Sequence, residues 1–100
     1  VNPDDNANHL SLAAVITELA ALRYTPAGVP ALDLRLEHES RVQEAGQDRQ
    51  VAASVKAVAF GVLAERLASQ AIGSRWKFQG FLASPRQGKS LVFHIQEFGA

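Results

Sequence analysis

The chain has 100 residues, with ten Lys and Arg against ten Asp and Glu, and a formal net charge of zero. That length points to one domain, and a neutral total leaves any electrostatic steering to local patches. The lack of cysteine excludes disulfides and thiolate metal sites and fits a reducing compartment, and no apolar run approaches the ~20 residues that a membrane-spanning helix needs.

The N-terminal stretch "VNPDDNANH" is polar and carries Asp4 and Asp5. It reads as a flexible tail over residues 1–8, without the basic and apolar regions of a secretory leader, so the domain is expected over 9–100. "LSLAAVITEL" sets Leu10, Leu12, Ala14 and Ile16 on one parity and reads as a first strand. "RYTPAGVP" is turn chemistry, with Pro26 and Gly28. "ALDLRLEH" alternates strictly: Leu32, Leu34 and Leu36 face one side, and Asp33, Arg35 and Glu37 the other. This is the second strand.

"LEHESRVQEAGQDRQV" follows, a polar excursion with Glu37, Glu39, Glu44 and Asp48 against Arg41 and Arg49. "QVAASVKAVAF" is a third strand whose broken alternation implies a bend or bulge. In "GVLAERLASQA", Leu63, Leu67 and Ala71 recur at helical spacing. "IGSRWKFQGFLA" restores period two, with Trp76, Phe78, Gly80 and Leu82 against Arg75, Lys77, Gln79 and Phe81. "SPRQGKS" is a turn carrying Arg86 and Lys89, and "LVFHIQEF" is a fifth strand.

The order predicts an all-β domain: a five-stranded OB-fold barrel with one short helix between strands 3 and 4. Periodicity equally allows an open five-stranded sheet with a helix on one face.

No motif of catalysis is present. G-x-S-x-G, phosphate loops and G-x-G-x-x-G are missing. The histidines His9, His38 and His94 are scattered, and Glu37 and Glu39 face away from His38, so no metal or cofactor is expected.

Charge is uneven, however. Between Glu65 and Glu97 lie Arg66, Arg75, Lys77, Arg86 and Lys89 with no acid. Such a zone suits a polyanion, each contact displacing counterions. Tyr24, Trp76 and Phe81 are candidate stacking platforms for a single strand, although the parity of Trp76 makes it a core residue first. Tyr24 beside Arg23 is the best platform, and Arg35 and Lys56 extend the basic surface onto the second and third strands. OB-folds commonly take nucleic acid on that face and on the loops after strands 1 and 4.

"AGVPALDLRLEHESRVQEAGQDRQV" resembles the central block of the primosomal replication protein N family, shortened relatives of bacterial single-stranded-DNA-binding proteins. The matching positions are Pro26, Gly28, Pro30, Leu36, Glu37, His38, Glu44, Ala45, Gly46, Arg49 and Gln50. "GSRWKFQGFLA" and "NHLSLAAVI" are similar to that family's fourth and first strands. The resemblance implies a homodimer in the bacterial cytoplasm that binds single-stranded DNA and supports the restart helicase (PriA) among other primosome proteins, with no catalysis and no membrane.

It also makes the charged arm a loop that reaches DNA or a partner through Arg41, Gln47 and Arg49. The expected DNA-binding residues are Arg23, Tyr24, Arg35, Lys56, Arg75, Lys77, Arg86 and Lys89. Departures weaken the DNA site: the family's aromatics at the arm's tip and at the start of the third strand are Gln47 and Ala52 here. Its basic residues are replaced by Glu39 and Tyr24, and a first-strand glycine by Ala14. A protein-interaction module with incidental DNA contact, and an RNA-binding OB domain, remain open beside single-stranded DNA binding.

Overall fold

The computed structural model describes residues 7–100. Most of the expected tail, residues 1–6, lies outside them. Asn8, assigned to that tail, is tied to the body: its side chain donates to the Leu82 carbonyl (2.8 Å) and accepts from the Leu82 N–H (3.0 Å).

The elements run β1 (Leu10–Leu19), β2 (Arg23–Tyr24), β3 (Pro30–Glu44), β4 (Gln47–Phe60), α1 (Val62–Ala68), β5 (Arg75–Ala83) and β6 (Val92–Gly99). The two-residue β2 is an addition inside the expected turn, so the expected second to fifth strands are β3 to β6. Strand order is β1-β5-β6-β4-β3-β2, and a β1–β3 pairing closes five strands into a ring. Closure removes most of the edge that an open sheet would expose, and it decides against the open-sheet alternative.

Inside the ring, inward parity builds the core. Ile16, Leu32, Leu36, Leu67, Phe78 and Phe93 are fully buried. Val58 joins Ala57 and Ala59 in burial, so both faces of β4 are covered there. That is why the third-strand sequence lost its alternation. The expected bulge is not in that strand pair: β3 and β4 run in register from Ala31↔Phe60 to Glu44↔Gln47 without a shift. The register shifts fall instead in β1, between Ile16 and Glu18, and between β5 and β6 at Gln79/Gly80. The first of these bends β1 at Thr17, three residues beyond Ala14.

The helix is shorter than the expected Gly61 to Ala71. It starts after Gly61, whose φ of 74° suits glycine, and Ala64 and Leu67 plug the barrel. Ala71 is exposed beyond its end.

The charged arm is not a loop. Strand pairing continues to a two-residue turn at Ala45 and Gly46, both at positive φ (52° and 78°), as a tight hairpin of the right twist requires. Residues 41–50 are exposed on both sides, so no apolar face marked them as strand.

Candidate nucleic-acid interface

Paired residues on neighbouring strands share a face, so the registers map the outer wall. On β4 the outward set is Lys56, Val58 and Phe60, beside Arg35, Asp33 and Ala31 of β3. Val58 pairs with His94 on β6, and His94 with Phe81 on β5. Three rings from three strands therefore meet. Phe81 stacks on His94 with centroids 4.8 Å apart and planes 14° from parallel, and His94 on Phe60 at 6.0 Å and 29°. Phe60 ends the row with 43% of its surface open.

Gly80 sets this geometry. A Cβ there would sit 1.8 Å from the His94 carbonyl oxygen, so only glycine admits the close β5–β6 approach at the bulge. Phe81 then lands opposite His94.

Cations frame the row. Arg35 and Lys56 are direct cross-strand partners. Arg86 and Lys89 lie exposed on the segment between β5 and β6, whose two stems carry Phe81 and His94. Lys56, Arg35, Ser90 and Leu91 line one depression beside that segment, together with Leu10, Leu82 and Ser54.

Other expected site residues are placed differently. Arg23 is bidentate to Asp33 (2.7 and 3.2 Å). The hydrogen bond, and then the charge, of Asp33 push the Arg23 guanidinium above its usual pKa, so the cation is matched by an anion. Arg35 pairs with Glu18 at 3.4 Å and donates to Ser54 Oγ at 3.2 Å. Arg49 pairs with Glu44 at 3.1 Å near the hairpin tip. Arg41 and Gln47 stand exposed on the same hairpin. Tyr24 is 63% exposed on β2, two strands from Phe60.

Arg75 and Lys77 face outward from the other end of β5, beside Val15 and Ala13 of β1. Phe81 lies four positions beyond Lys77, about 13 Å along a strand. Trp76 belongs to the core margin, edge-on to Phe98 at 5.3 Å with its Nε1–H donating to Ser74 Oγ.

Phe60 and His94 were missed as ring partners of Phe81. Their signal was present, since each stands on the parity opposite its strand's buried set, but joining them needs the β4–β6–β5 register.

A closed five-strand wall with an outward aromatic row and flanking cations defines an OB-type binding protein. A family model described as "another single-strand binding protein family" matches residues 8–97. Replication restart protein PriB of Bordetella pertussis is 47% identical over 91 residues, covering 90% of this chain and 85% of that protein. The structure of PriB from Ralstonia solanacearum superposes with a TM-score of 0.84 at 40% identity, covering 92% and 95% of the two chains. The single-stranded DNA binding protein of Thermus aquaticus shares the fold, with a TM-score of 0.74 at 23% identity, covering 92% of this chain and 48% of that one. The chain belongs to this single-strand binding family and, within it, to the PriB replication restart proteins.

Proposed function

We propose that this chain is a non-catalytic accessory protein of bacterial replication restart. It binds single-stranded DNA on the outer wall of β3, β4, β6 and β5 and supports the restart helicase as a homodimer. The observation that carries the DNA reading is the row Phe60–His94–Phe81 with Lys56, Arg86 and Lys89 around it. Rings give sequence-tolerant stacking, and cations follow the backbone. The row offsets the loss of stacking groups at Gln47 and Ala52.

The test is a fluorescence-anisotropy titration of labelled oligothymidine at two salt concentrations, with duplex as control. Preferential single-strand binding that falls with salt is expected. Phe81→Ala should weaken it by ~1–3 kcal/mol, the worth of one stacked base. Charge reversal at Arg86 and Lys89 should flatten the salt dependence, by ~0.7 in slope per lost contact. Unchanged affinity in both variants rejects this wall as the site.

A second reading draws on the hairpin. Its outer half is exposed throughout, and Arg49 is committed to Glu44. That is a poor phosphate reader and a good handle for a protein. Excising Gln43–Asp48 and closing the strands with a two-residue turn should then weaken helicase stimulation and leave oligothymidine affinity intact. Loss of DNA affinity alone would assign the hairpin to DNA.

A further inference from the structure

The wall beside the aromatic row carries acids as well as cations, and sequence-tolerant stacking with phosphate contact needs none. Glu18 of β1 pairs with Arg35 of β3, and Arg35 with Lys56 of β4. The three stand in one lateral row, about 5 Å from strand to strand. They rim a depression, with Asp33 on the same rim and Leu19 and Val92 in its lining. Lys56 is two positions before Val58, the partner of His94, so the depression lies about 7 Å along β4 from the rings.

The two carboxylates are not equivalent. Both Asp33 oxygens accept from Arg23, at 2.7 and 3.2 Å. Glu18 accepts through Oε2 alone, from Arg35 Nε at 3.4 Å, and its side chain is 71% exposed. Its Oε1 has no donor among the described residues. Arg35 commits Nη1 to Ser54 Oγ at 3.2 Å and keeps Nη2, and Lys56 has no ion pair among the described residues. The row therefore presents, in order, one acceptor and two donors.

Base edges differ in that order. Cytosine offers its N4 amino donor, then the acceptors N3 and O2. Guanine offers the donors N2–H and N1–H, then the acceptor O6. Adenine supplies an amino donor but no carbonyl. Thymine and uracil flank N3–H with two carbonyl oxygens, so an oxygen would face the Glu18 carboxylate.

We propose that Glu18, Arg35 and Lys56 form a base-reading subsite on the single-strand wall, one that favours cytosine and guanine over thymine. The inference rests on the single-strand reading above. Glu18 accepts from the exocyclic amino group, and Arg35 and Lys56 donate to the ring and carbonyl acceptors beside it. A carboxylate on the cytosine amino group, and Arg or Lys on the guanine acceptors, are the pairings that base geometry favours. The ring row supplies affinity without regard to sequence, and this row supplies preference. A base without an amino group leaves the Glu18 charge unanswered beside the strand.

The experiment measures fluorescence anisotropy with labelled oligomers of deoxycytidine, deoxyuridine and thymidine, equal in length and at one salt concentration, under conditions where cytosine is unprotonated. The proteins are wild type and Glu18→Gln, with circular dichroism to confirm folding. Wild type should bind the cytidine oligomer about fivefold more tightly than the uridine one, the low end of what one good base contact discriminates. Thymidine and uridine oligomers should bind alike, which sets the methyl group aside. In Glu18→Gln the side-chain amide both donates and accepts, so the cytidine-to-uridine ratio should fall to within about twofold of one. Its affinity for uridine and thymidine oligomers should equal or exceed that of wild type, since an acid has left the wall.

A wild type that binds all three oligomers alike overturns the subsite and leaves the wall in place. A preference that survives Glu18→Gln belongs to the stacking of the strand itself and overturns the subsite too. Equal gains for all three oligomers in Glu18→Gln would make Glu18 only the ion-pair partner of Arg35. No binding of any oligomer overturns the single-strand reading, and this proposal with it.

Discussion

The two halves of the β3–β4 hairpin are the same two strands in one unbroken register, yet they obey different rules. At the root, Leu32, Leu34 and Leu36 of β3 point into the barrel, and Leu36 is fully buried. At the tip, Val42 stands on the same parity with 43% of its surface open. Root pairing is held by the core that it helps to enclose. Among the described residues, tip pairing has backbone hydrogen bonds, the Arg49–Glu44 ion pair and a Gln43–Asp48 side-chain hydrogen bond, and such exposed side-chain pairs are worth little. Strand geometry can therefore continue well beyond the core, but its stability should not.

The largest effect expected in the barrel that holds the root comes from the β5–β6 bulge. Gly80→Ala would drive a Cβ into the His94 carbonyl, and backbone cannot yield as a flexible side chain can. A cost of about 4 kcal/mol or more is expected, a large share of what a domain this small has. Urea denaturation checks it. A midpoint shift equivalent to under ~1 kcal/mol would mean that β5 and β6 separate more easily than the ring implies.

Next comes a matched pair on β3. Leu36→Ala removes a fully buried side chain and should cost about 2–5 kcal/mol. Val42→Ala, on the same face six positions later, should stay within about 0.5 kcal/mol. Similar losses at both positions, measured in the same denaturation series, would show the hairpin to be a single cooperative unit and erase the contrast.

Legibility in the sequence follows the same division. The root was plain because one face is buried, and burial writes period two into the residues. The helix position was plain for a related reason, though its end was overrun, since Ala71 fits the helical spacing while Gly73, at φ 96°, closes the turn that follows. The tip carries no strand signal in its sequence, because a ribbon wet on both faces needs no alternation. The site divides likewise. Lys56, Arg86 and Lys89 could be named as cations from composition, but the salt bridge that occupies Arg23 and the ring row at Phe60 arise from pairings between distant segments. Parity places a side chain inside or outside, and only register tells it which neighbours it meets.

The smallest effect is the most selective probe of the contrast. Ala45 is the one non-glycine at positive φ among the described residues, a conformation that costs an L-residue roughly 1 kcal/mol. Asparagine tolerates it better and, followed by glycine, is the preferred pair for such a turn. Ala45→Asn should relieve up to about 1 kcal/mol of strain at the tip. If the tip opens independently of the barrel, that gain appears only in local opening. Amide exchange at Arg41 to Asp48 should slow by up to about fivefold, while exchange at Leu34, Leu36 and Phe78, and the melting temperature, stay unchanged. A rise in melting temperature matching the local gain would couple the tip to the core, and the hairpin would then be an extension of the barrel in energy as well as in register.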